Sequence, residues 1–233
     1  MNAQHFVLGD SRVRQLPLEH LPVAKIWPMP GAKIYDLYEV VDGEIAEIAD
    51  NADDPPVIYV SAGICDLTHR FKRIFQGNRI DEVILLPKSE HPDIIANTQS
   101  ALEDLQRFIY RQGAIPVIAT IYPMAIGDWN SHRLNSGKTY TLTKAAEYEA
   151  MQCYLEDMCD AVNSEIITLN RNNNLKTPLL HKCLEHNRGK NRKATKRYNL
   201  LVDGCHPTPK LAIDIARSLS KTIALNKSNI NLD

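Results

Sequence analysis

The sequence lacks the long apolar run, roughly 18 residues, that a membrane-spanning helix requires. It also lacks a basic N-terminal region followed by an apolar stretch, so we expect no secretory signal. Neither positive nor negative residues are in clear excess, because the chain has 27 Lys and Arg residues and 28 Asp and Glu residues, with a net charge of -1. No overall electrostatic field therefore directs the chain to nucleic acid or to an anionic membrane.

Cysteine is too scarce and too irregular to build a disulfide framework. The chain has five cysteines, an odd number, with no regular spacing between them. We therefore expect reduced thiols in an intracellular, cytoplasmic protein. A metal cluster is suggested by His181, Cys183, His186, Cys205 and His206, but the spacing His-x-Cys-x-x-His of the first three is not one of the usual zinc patterns. We expect no metal and no other cofactor.

Apolar, β-branched segments alternate with amphipathic helical segments along most of the 233 residues. This alternation predicts an α/β fold, a single three-layer α/β/α domain over residues 1–233 with a mainly parallel, flavodoxin-like sheet. Strands are predicted over 6–8, 23–27, 57–60, 83–86, 115–121, 166–169 and 200–202. Helices are predicted over 12–20, 34–49, 94–112 and 143–163, and from Pro207 onwards, with a loop over 122–138.

Two segments have a composition that is poor in core residues. Residues 170–197 are polar and basic, which predicts a mobile insertion, and residues 226–233 are expected to fray. A basic run of this kind is usually a solvated loop. Phosphate contact is the alternative, and it would give weak nucleic-acid binding through Arg188, Lys190, Arg192 and Lys193.

The first predicted strand ends in Gly9-Asp10-Ser11, which places a serine at the carboxyl end of a strand, where α/β proteins bind ligands. Ser11 is a candidate nucleophile if an imidazole supported by a carboxylate takes its proton. Asp203 and His206, three residues apart, are candidates for that pair. The alternatives are structural: Ser11 or Asp10 caps a helix, and Asp203 and His206 only shape a turn before Pro207.

A second glycine-containing turn, Gly63-Ile64-Cys65-Asp66, follows the strand predicted at 57–60. The three blocks, in this order, resemble those of the SGNH hydrolase superfamily, also called GDSL esterases and lipases. The resemblance implies that Ser11 is the nucleophile and that His206 and Asp203 complete the triad. It also implies an oxyanion hole formed by the backbone N–H groups of Ser11 and Gly31.

The third block of this superfamily is Gly-x-Asn-Asp, and its Asn supplies a further oxyanion donor. Here Cys65 stands in the place of that Asn, whereas Gly63 and Asp66 match the pattern. By the same resemblance, Asp10, Gly63 and Asp66 are expected to help bind substrate. A thiol is only a weak donor, and loss of one oxyanion donor costs ~10²–10³ in turnover in other enzymes. Cys65 could also be a small buried hydrophobe, or a thiolate nucleophile.

Two functions follow from these observations. The first is a serine esterase of small acyl or acetyl esters, slow because of Cys65. The residues of the three blocks also resemble those in SGNH-like domains of retrotransposons and related mobile elements. The second function is therefore a non-catalytic binding module for nucleic acid or a protein partner.

Overall fold

The computed structural model of the chain describes residues 4–85, 92–136, 141–186 and 194–230, with side chains up to residue 227. The strands are β1 (His5–Asp10), β2 (Lys25–Met29), β3 (Val57–Ser61), β4 (His69–Phe75), β5 (Asn78–Ile84), β6 (Ile115–Ile118), β7 (Glu185–His186) and β8 (Thr195–Lys196). Four of them form a parallel sheet in the order β2-β1-β3-β6. This order places β1, which carries the Gly-Asp-Ser block, in the interior of the sheet.

The α-helices are α1 (Tyr38–Val40), α2 (Ala46–Asp50), α3 (Ile64–Leu67), α4 (Ile94–Arg111), α5 (Ile126–Asn135), α6 (Ala145–Asn172), α7 (Leu180–Leu184) and α8 (Pro209–Ile230). A 3₁₀ turn (Ile34–Leu37) and a π-helical turn (Val41–Ile45) join α1 and α2 into one helical stretch. Two further 3₁₀ turns, Ser11–Gln15 and Leu18–His20, stand where a short helix was predicted. Helix α5 occupies part of the segment predicted as a loop.

Alternate side chains of β1 enter two separate cores, one on each face of the sheet. Phe6 and Leu8 pack with the apolar stripes of α4 and α6, whereas Val7 packs with that of α8. A strand buried on both faces, with helices covering each face, is the arrangement expected for a parallel sheet. The structure thus confirms the predicted α/β/α class.

The strand predicted over 166–169 is wrong, because these residues lie inside α6. Their side chains follow helical spacing: Val162, Ile166 and Leu169 are buried in that helix. The same helix covers the free edge of β6 with the side chain of Asn170. The side chain of Asn170 accepts the N–H of Ile118 and donates to its carbonyl, at 3.0 and 2.7 Å. It thus makes the hydrogen bonds to this edge that a neighbouring strand would otherwise make.

Of two other predicted strands, the one at 83–86 is confirmed in part and the one at 200–202 is wrong. Val83 lies in β5, which pairs antiparallel with β4 in a separate two-stranded sheet, and residue 86 lies outside the described residues. Residues 200–202 do not return to the central sheet. Leu200 ends a 3₁₀ turn, and Leu201 makes only an isolated bridge with Pro207.

Residues 170–197 and 226–233 are more structured than predicted, as far as the structure describes them. The first segment includes α7 and buries Leu175, Leu180 and Leu184. In the second, Asn226 is fully buried within α8 and bonds to the backbone of Lys176 at 2.7 and 3.1 Å. Arg188, Lys190, Arg192 and Lys193 lie outside the described residues, as do residues 231–233. Within the part of the chain that is described, no helix combines the length and apolarity needed to cross a bilayer.

Candidate active site

The nucleophile candidate is held where β1 passes closest to β3. A methyl group at Gly9 would overlap the carbonyl oxygen of Ser61, so only glycine allows this approach. The strand ends at Asp10, and Ser11 begins a 3₁₀ turn at the carboxyl end of the sheet. Ser11 is partly exposed there, whereas the preceding residues of β1 are buried.

Ser11, His206 and Asp203 form one hydrogen-bonded chain, although 195 residues separate the serine from the histidine. His206 Nε2 lies 2.9 Å from Ser11 Oγ, and His206 Nδ1 lies 2.7 Å from Asp203 Oδ2. Because a carboxylate accepts, Nδ1–H is the donor to Asp203, and Nε2 is left as acceptor for the serine hydroxyl. The arrangement has the contacts of a serine-hydrolase triad.

The loop that carries Asp203 and His206 is held by hydrogen bonds between its own backbone N–H groups and the Asp203 carboxylate. Asp203 Oδ1 accepts the N–H groups of Cys205 and His206 at 3.0 and 2.8 Å. Burial would raise the pKa of Asp203, but these bonds and the one from the imidazole lower that pKa to about 2. Asp203 is therefore ionised at neutral pH and can stabilise a positively charged imidazole.

Gly204 lets this loop lie directly against α5. Its φ is +81°, and a Cβ there would stand 2.5 Å from the backbone nitrogen of Trp129 and 2.6 Å from the carbonyl oxygen of Ala125. The N–H of Ala125 donates to the Gly204 carbonyl at 2.6 Å. The ring of Trp129 lies 6.0 Å from that of His206. Helix α5 thus supports the loop behind the imidazole.

Asp10, expected to bind substrate, does not line the cleft. Its side chain accepts the N–H of Arg12 at 2.9 Å and so caps the 3₁₀ turn, as one of the structural alternatives proposed. The Arg12 guanidinium pairs with the same carboxylate at 2.9 Å, and both side chains are buried, at 2 % and 1 % exposure. The pair lies below Ser11 as a support.

Gly31 and Cys65 both line the same cleft as Ser11 and His206. Gly31 has φ of +75° and is exposed, which leaves its backbone open to the cleft. Cys65 lies in the first turn of α3, and burial raises the pKa of its thiol to about 11. The thiol is thus neutral at physiological pH, which argues against a role as thiolate nucleophile.

Gly63 and Asp66 shape this region from behind the cleft. Gly63 has φ of +118°, and a side chain there would overlap Ile121. The Asp66 carboxylate accepts the N–H of Ile34 at 3.1 Å and faces a neighbouring cavity of about 180 Å³. Burial raises the pKa of Asp66 to about 6, although the Ile34 N–H and nearby Lys33 act in the opposite direction.

The cleft has a volume of about 1020 Å³, which is ample for a small ester. Its apolar lining includes Ile64, Val83, Met124 and Trp129. The β4–β5 hairpin forms one wall of the cleft, and this hairpin was not predicted from the sequence. Gln76-Gly77 at its tip, both with positive φ, was the available signal for a hairpin turn.

No three His, Cys, Asp or Glu side chains of the described residues come together as a metal ion would require. Within the suggested cluster, His181 Nδ1 instead lies 2.8 Å from the Thr120 hydroxyl, and Cys183 Sγ lies 3.6 Å from the Asp214 carbonyl. All five cysteines are free thiols.

No protein-family model matches this sequence, and no curated protein matches it. Solved structures do match its fold. A proposed acylhydrolase from Bacteroides fragilis is 10% identical with a TM-score of 0.57, and the match covers 97% of this chain and 86% of that one. A proposed lipolytic protein of the G-D-S-L family from Desulfitobacterium hafniense is 12% identical with a TM-score of 0.56, covering 95% and 99% of the two chains.

A Bacillus subtilis protein of known structure is 14% identical with a TM-score of 0.53, covering 97% of this chain and 57% of that longer one. At these identities the similarity concerns the fold. The chain therefore shares its α/β/α fold with the proposed acylhydrolase and with the proposed lipolytic protein of the G-D-S-L family.

Proposed function

We propose that the chain is a serine hydrolase of the SGNH type that cleaves small acyl esters. The observation that carries the proposal is the hydrogen-bonded chain from Ser11 through His206 to Asp203. Ser11 and His206 line a cleft that also has apolar lining residues. Its position at the carboxyl end of the parallel sheet is where α/β proteins bind their ligands.

In this mechanism His206 Nε2 takes the Ser11 hydroxyl proton while Oγ attacks the ester carbonyl carbon. The tetrahedral intermediate collapses, the alcohol leaves with the proton from Nε2, and an acyl-serine remains. Water then attacks the acyl carbon, gives its proton to Nε2, and releases the acid as the proton returns to Oγ. Asp203 orients the imidazole and stabilises its charged form throughout.

The negative charge on the carbonyl oxygen requires donors, and we assign that role to the backbone N–H groups of Ser11 and Gly31. Cys65 stands where the resemblance expects an amide side chain, and a neutral thiol is a weak substitute. The proposed hydrolase is therefore slow, by roughly the 10²–10³-fold that one oxyanion donor contributes elsewhere.

Hydrolysis of 4-nitrophenyl acetate tests the proposal. We expect turnover by the unmodified protein and by Ser164→Ala, which changes an exposed serine of α6, and its loss in Ser11→Ala. A fluorophosphonate should label Ser11 alone, as seen by the mass of the labelled peptide. Equal hydrolysis by Ser11→Ala and Ser164→Ala would contradict the proposal.

A second candidate is a non-catalytic binding module of a mobile-element protein. Cys65 in place of the amide residue favours it, as do the basic residues Arg188, Lys190, Arg192 and Lys193 in the sequence. The intact triad geometry favours the enzyme. Salt-dependent binding of RNA or DNA that is lost when Lys190, Arg192 and Lys193 are changed to Gln would support the module.

We further propose an intracellular location, which the five free thiols support.

A further inference from the structure

We propose that the ester taken by this cleft is a small molecule that carries a negatively charged group, such as a carboxylate or a phosphate. This inference rests on the proposed function. The charged residues that line the cleft are all basic: Arg14, Lys33, Arg70 and Lys72. Among the described residues that line it, none is Asp or Glu. Because the whole chain has nearly equal numbers of basic and acidic residues, this bias is a local property of the cleft.

Arg14 is placed beside the nucleophile by the helix geometry. Ser11 and Arg14 lie three residues apart in the same 3₁₀ turn, and side chains at i and i+3 of a 3₁₀ helix eclipse each other. Both residues line the cleft, whereas Arg12, between them, points into the core toward Asp10. A guanidinium therefore stands on the same face of the turn as the attacking hydroxyl.

Lys33 and Lys72 bring positive charge from two further sides. Lys33 follows Gly31 by two residues, and Lys72 projects from β4. Within the described residues, neither these lysines nor Arg14 forms an ion pair with a carboxylate. Asp66 lies near Lys33, but its carboxylate accepts the N–H of Ile34 and faces the neighbouring cavity. Three cations are thus available to a ligand.

Arg70 does have a partner, but the pairing leaves this wall positive. Asp81, fully buried, accepts hydrogen bonds from Arg70 at 2.8 and 2.9 Å. The same carboxylate also pairs with Arg79 and Arg133. On the hairpin itself, Arg70 and Arg79 therefore share one carboxylate, so that positive charge remains on the element that borders the cleft.

The apolar and the basic lining residues suggest which part of a substrate each would contact. The ring of Trp129 lies 6.0 Å from that of His206, so an acyl or aryl portion can be buried against it. An anionic group on the same molecule would reach one of the basic residues Arg14, Lys33 and Lys72. Such charge complementarity in a cleft raises both affinity and encounter rate, and added salt weakens it.

The test compares matched neutral and anionic esters. 4-Nitrophenyl acetate is the neutral substrate, mono-4-nitrophenyl succinate carries a carboxylate on the acyl side, and 3-carboxy-4-nitrophenyl acetate carries one on the alcohol side. We expect kcat/KM for at least one anionic ester to exceed that for the neutral ester by about tenfold at low ionic strength. Raising the salt concentration should reduce that ratio.

Substitutions then link the preference to the cleft. Arg14→Gln, Lys33→Gln and Lys72→Gln should each lower the anionic-to-neutral ratio of kcat/KM by about two- to fivefold, mainly through KM. Arg217→Gln and Lys221→Gln make the same charge changes on the outer face of α8, away from the cleft, and should leave the ratio unchanged.

Binding gives a readout that does not depend on catalysis. Trp129 lines the cleft, so its fluorescence should report ligand binding to the Ser11→Ala protein. There the anionic esters should bind more tightly than the neutral one. Ser11-dependent hydrolysis without anion preference would overturn this inference and leave the proposed function intact. Loss of the proposed function would appear as absent hydrolysis of all three esters, and fluorescence titration would then still decide whether the cleft selects anions.

Discussion

The guanidinium of Arg12 donates to both carboxylate oxygens of Asp10, so that a buried ion pair spans the two residues on either side of Ser11. A further hydrogen bond, 2.8 Å long, joins the Arg12 guanidinium to the carbonyl of Tyr122, and the guanidinium lies 4.2 Å from the centre of that ring. Each nitrogen of the Arg12 guanidinium therefore donates a hydrogen bond inside the core. Ser11, the proposed nucleophile, is thus flanked in sequence by a buried pair of opposite charges.

Removing one member of this pair should be costly, because the other charge remains buried without its partner. We expect Asp10→Asn and Arg12→Met each to lower the free energy of unfolding by about 3–5 kcal/mol. The double variant should lose much less than the sum of the two. Urea unfolding of the three proteins measures this coupling. Additive losses would show that the two charges do not depend on each other.

Asp203 should matter for turnover far more than for folding. Replacement by Asn keeps the shape but no longer supplies a negative acceptor for the Nδ1–H of His206, so the imidazole adopts the wrong tautomer. We expect Asp203→Asn to lower kcat by about 10³–10⁴-fold. Asp160→Asn, on the exposed side of α6, is the matched control and should retain full activity. A loss below tenfold in Asp203→Asn would contradict the assigned role.

Much of this architecture could be predicted because local signals and the fold agree. β1, β3 and the amphipathic helix at α4 follow directly from apolar periodicity, and the triad could be proposed from its residues and their order. The segment 166–169 was misread because Ile166 and Ile167 favour strands, whereas packing of Val162, Ile166 and Leu169 on one face of α6 decides the outcome. Only tertiary structure shows that Asn170, in the same helix, completes the edge of β6.

The site was harder to predict where it depends on elements far apart in sequence. The role of Asp10 could not be read from the Gly-Asp-Ser block, because it depends on Arg12 turning inward to meet it. The β4–β5 hairpin, which forms the basic wall, was not predicted for a related reason. β4 is largely exposed, and neither strand has a strong apolar alternation, so pattern alone did not separate β4 from a loop.

Cys65→Asn should increase the rate of ester hydrolysis. The substitution adds an amide N–H donor at the position where the superfamily resemblance expects one, next to Gly31 and Ser11 on the cleft. We expect a gain of roughly 10–100-fold in kcat, somewhat below the full value of an oxyanion donor because the surroundings are not adapted to Asn. Steady-state hydrolysis of 4-nitrophenyl acetate measures it.

Cys65→Ala is the matched control for that gain, since it removes the thiol without adding a donor. It should leave the rate within about threefold of the unmodified protein, because a neutral thiol contributes little. A large loss in Cys65→Ala would mean that the thiol itself acts in the reaction. A rate unchanged in Cys65→Asn would mean that the side chain at 65 does not reach the oxyanion.

Asp66 should make stability depend on pH in a direction opposite to most carboxylates. Burial raises its pKa to about 6 in the folded protein, against an ordinary value near 4. Its favourable contribution is therefore complete below pH 4 and is lost as the pH rises through 6.

Asp66→Asn, which can still accept the N–H of Ile34, avoids that loss. Between pH 4.5 and 7.5, we expect the variant to gain about 2 kcal/mol in free energy of unfolding relative to the unmodified protein. Asp53→Asn, an exposed control, should show no such trend, and a pH-independent difference for Asp66→Asn would refute the assigned cause.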